Sequence, residues 1–268
     1  MTELTNISDQ LVDDYQRDGV ALIRGVFRDW VERLAEGIEF NMTNPSADVR
    51  IYKNDDGSGL FFGDYCNWDR IPAYRDFVYD SPAAAVAAKL TGSREVRFFH
   101  EHVLVKEPGT NVPTPWHQDQ PYYCVDGIQT CSLWMPLDHV SESVCPQFVA
   151  GSHRWQRFFA PERFDRSPLN EGDGLEAMPN IDGDRASYDI RSWPLEPGDA
   201  IAFNFMTVHG APSNSSSIRR RGFSNRWVGD DCRFARRSGV TSPPFRDITL
   251  AHGATLDAPE FPVVPLNA

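Results

Sequence analysis

The texture of the chain changes once, after Ser93, and that change limits the folds open to it. Downstream, short runs of β-branched and aromatic residues are separated by Gly, Pro, Asn and Asp, the pattern of strands joined by tight turns. Strands are expected in EVRFFHEHVLVKE (95–107), IQTCSLWMPLD (128–138), PQFVAG (146–151), SYDIRSWPL (187–195), DAIAFNF (199–205) and GFSNRWVGDD (222–231). Upstream, residues 8–17 form a helical pattern stopped by Gly19, and FRDWVERLAEGIEF from Phe27 places Trp30, Leu34 and Ile38 on one stripe. GVALIRG reads as a short strand between them, and residues 71–93 carry two more helices, restarting at Ser81-Pro82. Residues 44–68, rich in Asp, Gly and Ser with interleaved aromatics, read as a structured loop over a pocket. Helices followed by antiparallel strands predict a mainly β (α+β) fold, a jelly-roll core with N-terminal helices packed on one sheet. One domain is expected over 1–268, with a helical layer at 1–93, the core at 94–235 and a C-terminal extension at 236–268. Residues 158–185 read as a polar insertion, and EFPVVPLNA as a proline-rich arm.

A net charge of -12 disfavours nucleic acid and anionic membranes as partners, since the average surface repels phosphate. No apolar run nears the length of a membrane span, and the polar, acidic start does not resemble a signal peptide, so a soluble cytoplasmic protein is expected. The five cysteines, odd in number and irregularly spaced, read as reduced, buried thiols. Oligomeric state is left open.

The chemistry concentrates in TPWHQDQPYY. In extended chain, residues i and i+2 share a face, so His117 and Asp119 project together. By itself the pair reads first as a buried histidine–carboxylate hydrogen bond. Two histidines and one carboxylate with open positions suit non-haem iron(II), and His209, just past the apolar run DAIAFNF, is the natural third ligand. Such an iron site needs two further electrons to activate O2, and 2-oxoglutarate is a common source. Its far carboxylate needs a cation, and Arg219, Arg220 and Arg221 follow ten to twelve residues after His209. Alternation points inward either Arg220 alone or Arg219 with Arg221.

The segments VKEPGTNVPTPWHQDQPYY, LWMPLDHV, FVAGSHRW, PGDAIAFN and VHGAPSNSSSIRRRGFSNRWVGDD together resemble the phytanoyl-CoA dioxygenase family of iron(II)/2-oxoglutarate oxygenases. The resemblance implies a double-stranded β-helix with iron on His117, Asp119 and His209, and the distal carboxylate of 2-oxoglutarate on Arg220. It also places Trp134 and His102 beside the cosubstrate. Ala211 stands where some relatives have a serine, and Cys145-Pro146-Gln147 replaces a usual glycine. Asp119 is retained where related halogenases carry a small residue, so hydroxylation of a small molecule with release of succinate and CO2 is expected.

Other residues carry weaker expectations. His100 reads as a packed or edge histidine and His153 as a turn-fixing one, while Lys106 either meets an anionic substrate or closes a loop. Arg226, Arg233, Arg236 and Arg237 read as a solvated face, with Arg226 as the candidate to attract an anionic substrate. Trp116, Tyr122, Tyr123, Phe61 and Phe62 are candidate pocket walls. The rival readings are a zinc hydrolase on the same three ligands and a non-catalytic jelly-roll binding protein.

Overall fold

A computed structural model describes residues 7–170 and 174–266. The first six residues of the expected helical layer, three of the insertion and the last two of the C-terminal arm lie outside the described residues.

The N-terminal layer contains helices α1 (Asp9–Asp18), α2 (Val31–Thr43), α3 (Pro72–Asp80) and α4 (Ala83–Thr91). Ser8 caps α1 through its side chain and Gly19 ends it at φ 71°, a left-handed turn that glycine adopts without steric cost. Between these helices run β1 (Val20–Ile23), β2 (Arg50–Tyr52) and β3 (Phe61–Tyr65). The stretch expected to be a covering loop therefore holds two strands. FFGDY is buried along its whole length, so it shows no polar alternation by which to recognise it.

The remaining strands are β4 (Val96–Lys106), β5 (Thr114–His117), β6 (Val125–Asp126), β7 (Thr130–Pro136), β8 (Gln147–Val149), β9 (Ile190–Arg191), β10 (Ala200–Phe203), β11 (His209–Ala211), β12 (Arg220–Val228), β13 (Arg233–Phe234) and β14 (Val263–Val264). A large sheet runs β1-β10-β7-β12-β4-β3-β2, with β14 also on β4. A smaller sheet runs β5-β11-β8-β9, and β13 pairs with β6. All pairings are antiparallel, as a jelly roll requires. The described part of the C-terminal arm docks as β14 on β4.

Period-two alternation divides the large sheet's faces. Leu133, Met135, Phe223, Trp227, Val103 and Val105 pack against Leu34, Tyr74, Phe77, Val86 and Leu90 of the helices. Each such burial contributes about 1.5–3 kcal/mol. The opposite face turns Ser132, Trp134, Ser224, Arg226, His100 and His102 inward. A bulge lies where His100 pairs with Arg226 but Phe98 pairs with Trp227, leaving Phe99 as the extra residue. Among the described residues, no helix is long and apolar enough to cross a membrane.

Candidate metal centre and cosubstrate site

His117 ends β5 and His209 begins β11, and the two are direct register partners. His209 was expected just beyond a strand; it is itself the first residue of a short one that HGA alone does not announce. Opposed residues on antiparallel strands share a face, and the two imidazoles lie 4.1 Å apart between centroids. Each ring is steered by a backbone carbonyl two residues upstream. His117 Nδ1 is 2.8 Å from Pro115 O, and His209 Nδ1 is 2.9 Å from Thr207 O. A carbonyl only accepts, so Nδ1 carries the proton and Nε2 presents its lone pair to the site.

Asp119 follows β5, where its backbone N–H donates to Phe205 O at 2.8 Å. Its Oδ1 is 3.6 Å from His117 Nε2 and 3.9 Å from His209 Nε2. The three ligand atoms all fall within 4.8 Å of one another, a spacing that one metal ion can bridge. Phe148 and Phe203 pack on His209, with centroids at 5.6 and 4.5 Å.

The other carboxylate oxygen, Oδ2, accepts from Ser132 Oγ at 3.0 Å and Arg226 Nε at 3.2 Å. Burial alone would raise the Asp119 pKa, but the charge of Arg226 holds it well below the usual carboxylate range. Arg226 is only 4% exposed, sits over the Tyr123 ring and lines the cavity, so it is not part of a solvated face. Its partner lies 107 residues upstream, beyond the reach of local pattern. Arg237 is likewise tied down, by Asp126. Burial pushes the His209 and His102 pKa values down to about 3, keeping both rings neutral.

Across β7, β12 and β4, Trp134, Ser224 and His102 form one cross-strand row, and all three line the cavity beside the His-Asp-His cluster. Ser224 Oγ and the neighbouring His100 Nε2 are buried, lack partners among the described residues and line the same cavity, as ligand-seeking groups would. Further along β12 the parity question resolves. Arg220 points inward and is 6% exposed, whereas Arg219 pairs with Glu39 and Glu107, and Arg221 with Asp138 and Glu39. Arg220 donates to Val144 O and, at 3.5 Å, to Pro212 O. Burial brings its pKa down to about 10. Arg220 does not itself line the cavity; it adjoins the wall through Pro212, next to Ala211.

The cavity encloses about 560 Å³. Its roof comes from the polar insertion: Phe164 packs on Phe61, Tyr52 and His102 with centroids at 4.7, 5.4 and 6.5 Å. Tyr122, which packs edge-on against His117, anchors that segment by donating to Glu162 O at 2.6 Å and accepting from Glu162 N at 2.8 Å. Tyr123 also lines the cavity, while Phe62 and Trp116 do not: Phe62 faces the helical core, and Trp116 packs beside Val149, Phe159 and Val208. Phe61 touches Phe164 and Lys106 behind the lining. Residues 239–246 of the C-terminal extension add Val240, Pro243 and Arg246 to the mouth, a contribution with no sequence signal. His153 reaches back to Gln16 O of α1 at 3.3 Å and takes no part in the cavity.

Comparison with known proteins places this geometry in a class. The chain resembles the dioxygenase lolE1 of Epichloe uncinata, 24% identical over 266 residues, which is 95% of this chain and 92% of that protein. Among solved structures, the epimerase SnoN in complex with Fe3+, alpha ketoglutarate and nogalamycin RO superposes with a TM-score of 0.74 at 25% identity, covering 95% of this chain and 97% of that one. The carbocyclase SnoK from nogalamycin biosynthesis shares the fold, with a TM-score of 0.73 at 23% identity over 97% of this chain and 98% of its own. The protein is a non-haem iron, 2-oxoglutarate-dependent oxygenase. The phytanoyl-CoA dioxygenase family model matches residues 15–222, and the chain belongs to that family. Its cofactors are iron(II), 2-oxoglutarate and O2.

Proposed function

We propose that His117, Asp119 and His209 hold the iron, that Arg220 takes the distal carboxylate of 2-oxoglutarate with Trp134 and His102 flanking it, and that the chain, working as one oxygenase domain, hydroxylates a small molecule. The observation that carries this reading is the pairing of His117 with His209 in register, both Nε2 atoms free and turned toward Asp119 Oδ1. When bound, iron and 2-oxoglutarate supply the oxidation, releasing succinate and CO2 as an oxygen atom goes to the substrate. The chain's part is to position and shield. Arg226 keeps Asp119 ionised, the carbonyls of Pro115 and Thr207 fix the imidazole tautomers, and Phe148, Phe203, Tyr122 and Phe164 exclude water.

The mouth favours a substrate with acceptor or anionic groups on an apolar body. Arg50, Arg163 and Arg246 line it together with Tyr52, Phe164 and Leu169. Of these arginines, Arg246 is bound to Asp48, while among the described residues Arg50 and Arg163 have hydrogen bonds only to carbonyls and a hydroxyl. Zinc hydrolysis on the same ligands leaves the buried Arg220, which has no carboxylate partner among the described residues, without a task.

A succinate-release screen across candidate metabolites tests the reading, with Asp119→Ala as control. A true substrate accelerates succinate release in wild type and not in the variant. Equal release from both would favour a binding protein without turnover, and no visible band on anaerobic addition of iron(II) and 2-oxoglutarate would sink the oxygenase site.

A further inference from the structure

Arg220 is not the only cation buried at this end of the cavity. Its register partner across β12 and β4 is Lys106, 2% exposed. Lys106 Nζ donates to Pro212 O and to Thr114 Oγ1, each at 3.3 Å, and lies 4.5 Å from the centroid of the Phe61 ring. Both cations thus converge on one carbonyl, Pro212 O, to which Arg220 donates at 3.5 Å. Among the described residues, neither has a carboxylate at ion-pair distance. Glu107, next to Lys106 in sequence, is taken by Arg219 at 2.7 Å.

Two like charges side by side in a buried site oppose folding, and a fold tolerates them where a ligand supplies the missing negative charge. Burial, and then the charge on Arg220, push the Lys106 pKa well below its ordinary value. A carboxylate placed between the two would reverse both effects. Thr114, which Lys106 touches, and Ala211, next to Pro212, are themselves part of the cavity wall. The pair therefore adjoins the same cavity as the His-Asp-His cluster.

We propose that Lys106 is a second cationic clamp for the distal carboxylate of 2-oxoglutarate, sharing it with Arg220, and that this pair selects a dicarboxylic oxo acid over a monocarboxylic one. The proposal rests on the reading that Arg220 receives that carboxylate. A neutral guest in the same place would leave two charges uncompensated, so discrimination comes from the cost of the wrong ligand as well as attraction to the right one.

The test is anaerobic titration of the iron(II)-loaded protein, followed by its visible band, with 2-oxoglutarate and with 2-oxopentanoate. The second acid keeps the chelating end and replaces the distal carboxylate by a methyl group. Lys106→Gln, which retains a donor for Pro212 and Thr114, and Lys106→Met are compared with wild type. The expected result is a loss of 2-oxoglutarate affinity of about 10- to 100-fold in both variants, with 2-oxopentanoate affinity held within about twofold. Unchanged 2-oxoglutarate affinity, or equal loss for the two acids, would overturn the assignment and leave Lys106 a structural residue. Absence of the band in wild type is a separate outcome: it removes the cosubstrate site, and the clamp with it.

Discussion

Arg226 Nε stands 3.2 Å from Asp119 Oδ2, while Asp119 Oδ1 is left to the two histidines. The carboxylate is thereby divided between a partner that keeps it ionised and a face that can bind metal. Removing one member of a buried pair strands the other. Arg226→Met should destabilise the metal-free protein by about 3–5 kcal/mol, and Arg226→Lys by less. Urea denaturation decides the matter; a methionine variant as stable as wild type would mean that the pair does not hold Asp119.

Glu101 lies on the opposite face of β4, fully buried, with Oε1 accepting from Asn67 N at 2.5 Å and, among the described residues, no partner for Oε2. Burial raises its pKa to about 8. Between the unfolded value near 4.5 and the folded value near 8, the folded chain keeps a proton that the unfolded chain releases, so stability falls as pH rises. Glu101→Gln does not titrate. Its stability relative to wild type should increase by up to about 1.4 kcal/mol per pH unit across that window and level off above it. A difference independent of pH would contradict the buried, protonated state.

Gly222 faces Trp134 across β12 and β7, and a Cβ there would lie 2.7 Å from the indole Nε1. Gly222→Ala must displace Trp134 from the row it forms with Ser224 and His102. A loss of about 1–3 kcal/mol is expected from overpacking, together with weaker 2-oxoglutarate binding. Thermal unfolding and the anaerobic titration read the two effects separately, and neither should change if the indole can simply turn aside.

Tyr122→Phe removes the hydroxyl that holds Glu162 by both its N–H and its carbonyl. The roof should open more often while the His-Asp-His cluster stays intact. Limited proteolysis is expected to cut residues 158–170 faster in the variant, with iron(II) binding unchanged; equal cleavage rates would show that Phe164 packing alone holds the segment.

These residues also show where sequence reasoning stops. His117 and Asp119 stood out as a close histidine–carboxylate pair, although Asp119 lies past the end of β5 in helical backbone, and His209 stood out because an apolar run precedes it, although it opens a strand. Arg220 was reachable only as one of two parities, since parity acquires a direction once the partner strands are known. Arg226 carries the same parity, yet its role depends on Asp119, which no local window contains. The bulge at Phe99 shifts the pairing on β4, so alternation read through 95–107 assigns faces wrongly on one side of it. Phe164 and the mouth residues 239–246 come from irregular segments, where neither periodicity nor turn chemistry predicts what they cover.

The register pairing of His117 with His209 has a consequence for handling the protein. Backbone pairing in the small sheet sets the two rings side by side. A two-imidazole, one-carboxylate face favours copper, nickel or zinc over iron(II) on intrinsic affinity. Which ion occupies it is then decided by supply and order of arrival. Protein purified in air on an immobilised-metal column should carry the wrong ion and look inert until it is stripped and reloaded with iron(II) under anaerobic conditions.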